Sequence, residues 1–207
     1  MAFKIVNHPI ANECVGVLRN KETSTAEFRR YSRLLADIVL LKAFETLPTE
    51  VVSVDTPVAP QCETKKISSN VVFVPILRAG LALLDPAINL LPQAKVGYFG
   101  LQRNEETALP EFYYQKIPNL TQADVFILDP MLATGGSAAF ACREILKHNI
   151  RSLSLVSIIA AQAGVDAITH EFPNVDIYTT ALDPALNEKY FIVPGLGDFG
   201  DRFHGTI

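Results

Sequence analysis

Short apolar runs that follow one another with helix-patterned stretches between them constrain the fold of this chain more than any other feature. VVSV (51–54), VVFVPI (71–76), KVGYF (95–99), DVFIL (124–128), SLSLVSII (152–159) and VDIYTT (175–180) read as strands. Several are apolar throughout instead of alternating, which is the pattern of parallel strands covered on both faces. Helical stretches separate the later ones, at roughly 80–91, 137–148 and 163–171. The alternation predicts an α/β fold with a mostly parallel twisted sheet, helices on both sides and right-handed crossovers. In such sheets the ligand site lies at the carboxyl ends of the strands.

At 207 residues, 49% hydrophobic and 19% charged, the chain has enough apolar material for one sizeable domain over residues 1–207. Its N-terminal part, about 1–48, reads as a helical arm. Ser24-Thr25-Ala26-Glu27 fits a capping box, and Phe28, Tyr31, Leu34, Leu35, Ile38 and Leu41 follow at helical spacing up to Pro48. Residues 101–118, LQRNEETALPEFYYQKIP, interrupt the alternation and are expected to form a hairpin or a flexible flap. The apolar runs fall short of the roughly 18 residues of a membrane span. The start, MAFKIVNHPIANE, lacks a secretory h-region, so the expectation is a cytoplasmic protein. Cys14, Cys62 and Cys142 are odd in number and widely spaced, which points to buried free thiols and away from a disulfide framework or a zinc site. A net charge of −4 argues against holding nucleic acid through its phosphates.

The segment LDPMLATGGS (128–137) joins the strand DVFIL to a helix. If Ser137 begins that helix, the N–H groups of Ala133, Thr134, Gly135, Gly136 and Ser137 are donors at a positive helix end, a setting that binds phosphate. Gly135 and Gly136 allow close backbone approach, and Thr134 and Ser137 add hydroxyls. Asp129 does not suit a phosphate, since like charges repel; a ribose diol would donate to it, and Pro130 stiffens the turn after it. The joint therefore looks made for a ribose 5-phosphate. It is not a Walker A loop, because no Lys follows the glycines.

LDPMLATGGS resembles the phosphoribosyl pyrophosphate (PRPP) loop of the type I phosphoribosyltransferases, specifically the uracil phosphoribosyltransferase form, in which a proline takes the place of a second acid. VPILRAGLALLDP (74–86) and QRNEET (102–107) are similar to the segments that supply two diphosphate-binding arginines, here Arg78 and Arg103. The resemblance runs from about Asn7 to the C-terminus. It implies PRPP binding at Arg78, Arg103, Asp129, Pro130, Met131, Leu132, Ala133, Thr134, Gly135, Gly136, Ser137 and Asp198.

The tail YFIVPGLGDFGDRFHGTI holds Gly195, Gly197 and Gly200 as G-x-G-x-x-G, but no βαβ unit follows, so a dinucleotide site is rejected. A glycine-rich strip offers main-chain donors and acceptors to a planar base, and the tail (about 190–207) resembles the family's uracil-binding loop. This places Ile192, Gly197, Asp198 and Phe199 around the base. The chain departs from the family at Lys189-Tyr190-Phe191, where Gly-Tyr is usual before the apolar pair, and at His204, where an aromatic is usual. His204 reads as a bystander and not as a base; His8, His148 and His170 have no partners at metal or triad spacing.

The resemblance implies transfer of the phosphoribosyl group from PRPP to N1 of uracil, yielding UMP and diphosphate. Arg78, Arg103 and Mg²⁺ held through PRPP, with no direct protein ligand, would stabilise the leaving anion, and Asp198 is the candidate base for N1–H. It also implies a homodimer or higher homo-oligomer and, in some members, activation by GTP. Two alternatives stand beside it. One is a phosphoribosyltransferase for orotate or a purine. The other is a non-catalytic pyrimidine-operon regulator on the same fold that binds RNA; the acidic chain shows no basic face for it.

Overall fold

The computed structural model describes residues 3–103 and 110–206; of Gln102, Arg103, Pro110 and Glu111 it gives the backbone alone. The chain opens with β1 (Phe3–Ile5), α1 (Pro9–Arg19), α2 (Thr25–Phe44), β2 (Thr49–Val54), β3 (Cys62–Ile67), β4 (Asn70–Leu77) and α3 (Leu81–Leu90). It continues through β5 (Lys95–Val96), β6 (Tyr98–Arg103), β7 (Pro110–Lys116), β8 (Ala123–Leu128), β9 (Met131–Leu132), α4 (Gly136–Ile145), β10 (Ser152–Val156), β11 (Ile159–Ala161) and α5 (Gln162–Glu171). It closes with β12 (Asp176–Thr179), β13 (Ala181–Asp183), β14 (Ala185–Leu186), β15 (Ile192–Val193) and α6 (Phe199–His204).

The main sheet runs β1-β12-β10-β8-β4-β6-β7, with β5 also on β4. Its pairings are parallel except that of β6 with β7. Along β4 and β8 successive side chains go to opposite, equally covered faces. Val71, Phe73, Phe126 and Leu128 join the core built with Leu18 of α1, Leu35 of α2 and Leu83 of α3. Val72, Val74, Val125 and Ile127 join the one built with Ala141 of α4 and Ile168 of α5. Burial on both faces is why these strands read as unbroken apolar runs, and each such side chain contributes about 1.5–3 kcal/mol. Asp124, the acid in DVFIL, is 2% exposed and accepts from Arg151 Nε at 2.9 Å.

Local signals in the sequence set several boundaries. The capping box forms: Ser24 Oγ accepts from the Glu27 N–H at 3.3 Å, and Glu27 Oε2 accepts from the Ser24 N–H at 3.4 Å. α2 then ends at Phe44, a turn before Pro48, and two members of its apolar stripe, Leu34 and Leu41, stay exposed. The arm holds a second helix, α1, ahead of the one whose residues were read from the capping box on; its N-cap is His8, whose Nδ1 accepts from the Ile10 N–H, with Pro9 at the first helical position.

Three strand expectations are corrected. VVSV lies in β2, which pairs antiparallel with β3 as a separate hairpin outside the main sheet. Its apolar content is not buried, since Val51 is 63% exposed. Cys62 sits on that hairpin and is exposed, unlike Cys14 and Cys142, which are buried as expected; burial pushes the Cys142 thiol up to about 12. SLSLVSII breaks after Val156, where the Ile158 and Ile159 N–H groups turn to the carbonyl of Pro130 and draw β11 into a small sheet with β9 and β13. KVGYF is likewise divided, into β5 and β6. The 101–118 segment supplies the end of β6 and all of β7, an antiparallel pair; residues 104–109 between them lie outside the described residues. Among the described residues no helix is long and apolar enough to cross a membrane.

Candidate active site

Three adjacent parallel strands, β8, β4 and β6, deliver three of the residues singled out in the sequence to one edge of the sheet. β8 ends at Leu128 and hands over to Asp129; β4 ends at Leu77 and hands over to Arg78; β6 ends at Arg103. The side chain of Arg103 lies outside the described residues. Gly80 lets the Arg78 turn close against the end of β8, because a Cβ there would stand 2.3 Å from the carbonyl oxygen of Leu128.

The loop after β8 behaves as a helix-end cradle. α4 starts at Gly136 behind Gly135, whose φ of +85° is a left-handed turn that glycine adopts freely. The N-cap Gly135 has no side chain to cap this helix start; the Gly136 N–H makes one long bond, 3.4 Å, to Thr134 Oγ1, and the N–H groups that follow it are left to a ligand. Asp129, Met131, Leu132, Ala133, Thr134, Gly135, Gly136, Ser137, Ala138 and Tyr190 line a cavity of about 130 Å³ over it. Pro130 stands behind, buried, its carbonyl engaged with β11. Burial pushes the Asp129 carboxyl up to about 7, against one weak opposing hydrogen bond from the Met131 N–H.

A second cavity of about 320 Å³ adjoins the first and brings Arg78 and Asp129 together with Ile192, Gly197 and Asp198 of the C-terminal loop. The arrangement of that loop was not legible in the sequence. β14 and β15 form a hairpin, and α6 follows, N-capped by Asp198, whose Oδ1 accepts from the Asp201 N–H at 2.9 Å. Phe199 is 1% exposed, edge-on to Phe28 and stacked on Phe203, so its side chain roots α6 in the core and only its main chain is near the loop. Arg78 stays on the rim, 63% exposed, with Asp201 Oδ1 at 3.9 Å.

A buried clamp fixes the loop from beneath. Asp183, 4% exposed, accepts from Arg19 at 2.8 and 2.6 Å and from the Gly195 N–H at 2.8 Å, while Arg19 also donates to the Gly195 carbonyl at 2.9 Å. Arg202 braces the other side: it donates to Leu196 O and Asn20 O, each at 2.7 Å, and to Leu18 O, with its guanidinium 4.4 Å from the Phe28 ring centre. Burial lowers its pKa. His204 lines neither cavity; its ring is edge-on to Phe203 and its buried Nε2 has no hydrogen-bond partner among the described residues. Arg19, Asp183 and Tyr190 are the site-supporting residues that the sequence did not disclose. The only signal for Tyr190 was its place in a departure from the family pattern.

The layered sheet is that of the type I phosphoribosyltransferases: a Staphylococcus aureus hypoxanthine phosphoribosyltransferase superposes with a TM-score of 0.51 over 76% of each chain, at 12% identity, which establishes the shared fold alone. The finer relationship is much closer. The family model for uracil phosphoribosyltransferase matches residues 5–206, and the chain belongs to that family. It is 42% identical over 205 residues to a uracil phosphoribosyltransferase of Latilactobacillus sakei, covering 99% of this chain and 98% of the relative. The structure of the AQ2163 protein from Aquifex aeolicus superposes with a TM-score of 0.93 at 39% identity, over 98% of this chain and 97% of that one.

Proposed function

We propose that this protein transfers the phosphoribosyl group of PRPP to N1 of uracil, giving UMP and diphosphate. The observation that carries the reading is that the two cavities share Asp129, Met131, Ala133, Ser137 and Tyr190, forming one run with a helix-end cradle at one end and a main-chain loop at the other. A phosphate, a sugar and a base fit that order. The first N–H groups of α4 with Thr134 and Ser137 take the 5′-phosphate, Asp129 takes the ribose hydroxyls, and the strip at Ile192, Gly197, Asp198 and Phe199 takes uracil, whose edge alternates acceptor, donor, acceptor. Family membership supports each assignment.

As the C1–O bond breaks, positive charge builds on the ribose and negative charge on the departing diphosphate. Arg78 and Arg103 are assigned to that anion, and the cradle and loop hold C1 and N1 in line. Asp198 keeps one oxygen committed to the Asp201 N–H, which leaves the other for N1–H, directly or through a water. Among the described residues no group of three or more His, Cys, Asp or Glu is placed to hold a metal. Magnesium would be carried on PRPP, with Asp129 holding the sugar hydroxyls, and would neutralise diphosphate charge. Activation by GTP rests on the resemblance alone. Orotate is disfavoured as the base, because Arg202, the one arginine or lysine of the tail from 190 to 207, is spent on three carbonyl groups. A diphosphate-release assay with PRPP and, in turn, uracil, cytosine, orotate and hypoxanthine tests the proposal, with and without magnesium and GTP. Turnover with another base, or none with uracil, removes it.

Asp129 makes the reading pH-sensitive. Its carboxyl is neutral in the empty protein below about 7, whereas ribose hydroxyls donate to the ionised form. Affinity for ribose 5-phosphate therefore rises with pH through that value, with proton release on binding. The phosphate's own second ionisation, near pH 6, acts in the same direction, so the control is Asp129→Asn, which keeps the phosphate contribution and loses the other. For the empty protein the sign is opposite: a carboxyl raised from 3.8 to about 7 contributes stability at low pH that is lost as pH climbs through about 7. Calorimetric titration across pH 5–9 (roughly two units either side of the midpoint) showing identical profiles for both proteins would remove Asp129 from the sugar.

The proposed homo-oligomer draws support from the β2–β3 hairpin. Its strands pair only with each other, and Val51, Val54 and Val58 are 63%, 43% and 94% exposed. An isolated hairpin is marginally stable in water, and a second copy would cover it. Light scattering is expected to give the mass of two or more chains; a single-chain mass at working concentration excludes this part.

A further inference from the structure

Tyr190 is the one residue shared by both cavities that comes from outside the phosphate loop; the other four, Asp129, Met131, Ala133 and Ser137, belong to it. It stands at the tip of the β14–β15 hairpin with a φ of +61°, a conformation suited to glycine or asparagine and disfavoured for an aromatic residue. The tip is over-determined by Asn187. The Tyr190 N–H donates to the Asn187 carbonyl at 2.8 Å, the Asn187 N–H donates to the Phe191 carbonyl at 2.9 Å, and Asn187 Oδ1 accepts from the N–H groups of Lys189 and Phe191 at 3.0 and 2.9 Å. A large residue held in a strained conformation by four hydrogen bonds, and 49% exposed beside the site, is not placed there by folding stability. Strain of this kind concentrates at ligand clamps.

We infer that Tyr190 is a sugar-binding residue that closes the cleft between the two cavities: it forms the wall facing the phosphate loop, against which the ribose of a nucleoside 5′-monophosphate is held. The inference rests on the placement of phosphate and base proposed above. An aromatic face against the sugar excludes water from the reacting carbon without adding charge beside the phosphate, and the rigid tip presents it with little ordering cost on binding.

The test uses the full-length protein, Tyr190→Gly and Tyr190→Phe, with thermal melting and calorimetric titration of UMP. The backbone at 190 suits glycine, so Tyr190→Gly is expected to melt at or above the wild-type temperature. Its Kd for UMP is expected to rise about tenfold, as the ring's apolar contact is lost, while Tyr190→Phe stays within about twofold. Two results overturn the inference: a Kd for Tyr190→Gly within about twofold of wild type, or a weakened Kd matched by a lower melting temperature, as a merely structural residue would give. If wild type binds UMP and Asp129→Asn weakens it while Tyr190→Gly does not, the role of Tyr190 alone falls. If wild type does not bind UMP, the placement of the ligand falls and this inference with it.

Discussion

Arg78→Ala is expected to lower turnover by about 10²–10³, the typical effect of deleting one donor aimed at a developing anion, while UMP binding is nearly unchanged. The separation follows from where Arg78 stands. It leaves the end of β4 on the rim of the larger cavity, 63% exposed, and its nearest carboxylate oxygen, on Asp201, is 3.9 Å away. At that distance the contact is a loose surface pair worth about 0–1 kcal/mol, so the guanidinium is free to turn to an incoming diphosphate. UMP carries no diphosphate and loses nothing when Arg78 is removed. Arg78→Lys should recover only part of the rate, because an ammonium cannot present the paired donors of a guanidinium fork to two oxygens. The measurements are kcat from diphosphate release and the UMP Kd by calorimetry. Equal losses in both would place Arg78 at the nucleotide, and no loss in either would remove it from the reaction.

The parts of this site that were legible in sequence are those whose signals are local. DVFIL followed by LDPMLATGGS is a strand, a glycine turn and a helix start in consecutive residues, and each is written in the residue types themselves. That the carboxyl ends of the strands share one side of the sheet followed from the parallel α/β pattern, and Arg78 and Asp129 line one cavity there. The C-terminal loop was harder. Its glycines were visible, but its shape depends on Arg19 and Asp183, which are separated by 164 residues, and on Arg202 reaching carbonyls on α1 and just beyond it. No periodicity or spacing rule links such pairs. The β2–β3 hairpin misled for the opposite reason: VVSV has the composition of a buried strand, and composition does not say whether a covering layer exists. Likewise the positive φ at Tyr190 is set by Asn187 bonding around the tip, and tyrosine gives no hint of it.

The same long-range clamp sets the second large expectation, for Asp183→Leu. Removing the carboxylate takes two acceptor oxygens from Arg19, whose side chain is only 27% exposed, and one from the Gly195 N–H, which is buried. Hydrogen bonds to charged groups contribute about 1.5–3 kcal/mol each, and partial exposure of Arg19 lets water replace some of them. A loss of about 3 kcal/mol is therefore expected, or a melting temperature lower by roughly 6–12 °C for a chain of this size. The loop from Ile192 to Asp198 is bonded to this clamp directly, whereas the phosphate cradle is linked to Asp183 only through the main-chain ladder of β9, β11 and β13, which a side-chain change leaves in place. The KM for uracil should rise by about tenfold or more as the main-chain strip loses its fixed geometry, with ribose 5-phosphate affinity retained. Asp183→Asn keeps an oxygen for the Gly195 N–H and loses the charge opposite Arg19, so it should fall between wild type and leucine in both measurements. A lower melting temperature with uracil and ribose 5-phosphate affected alike would make the pair a general brace, because a clamp that acts on the base loop has to act on one end of the cleft and spare the other.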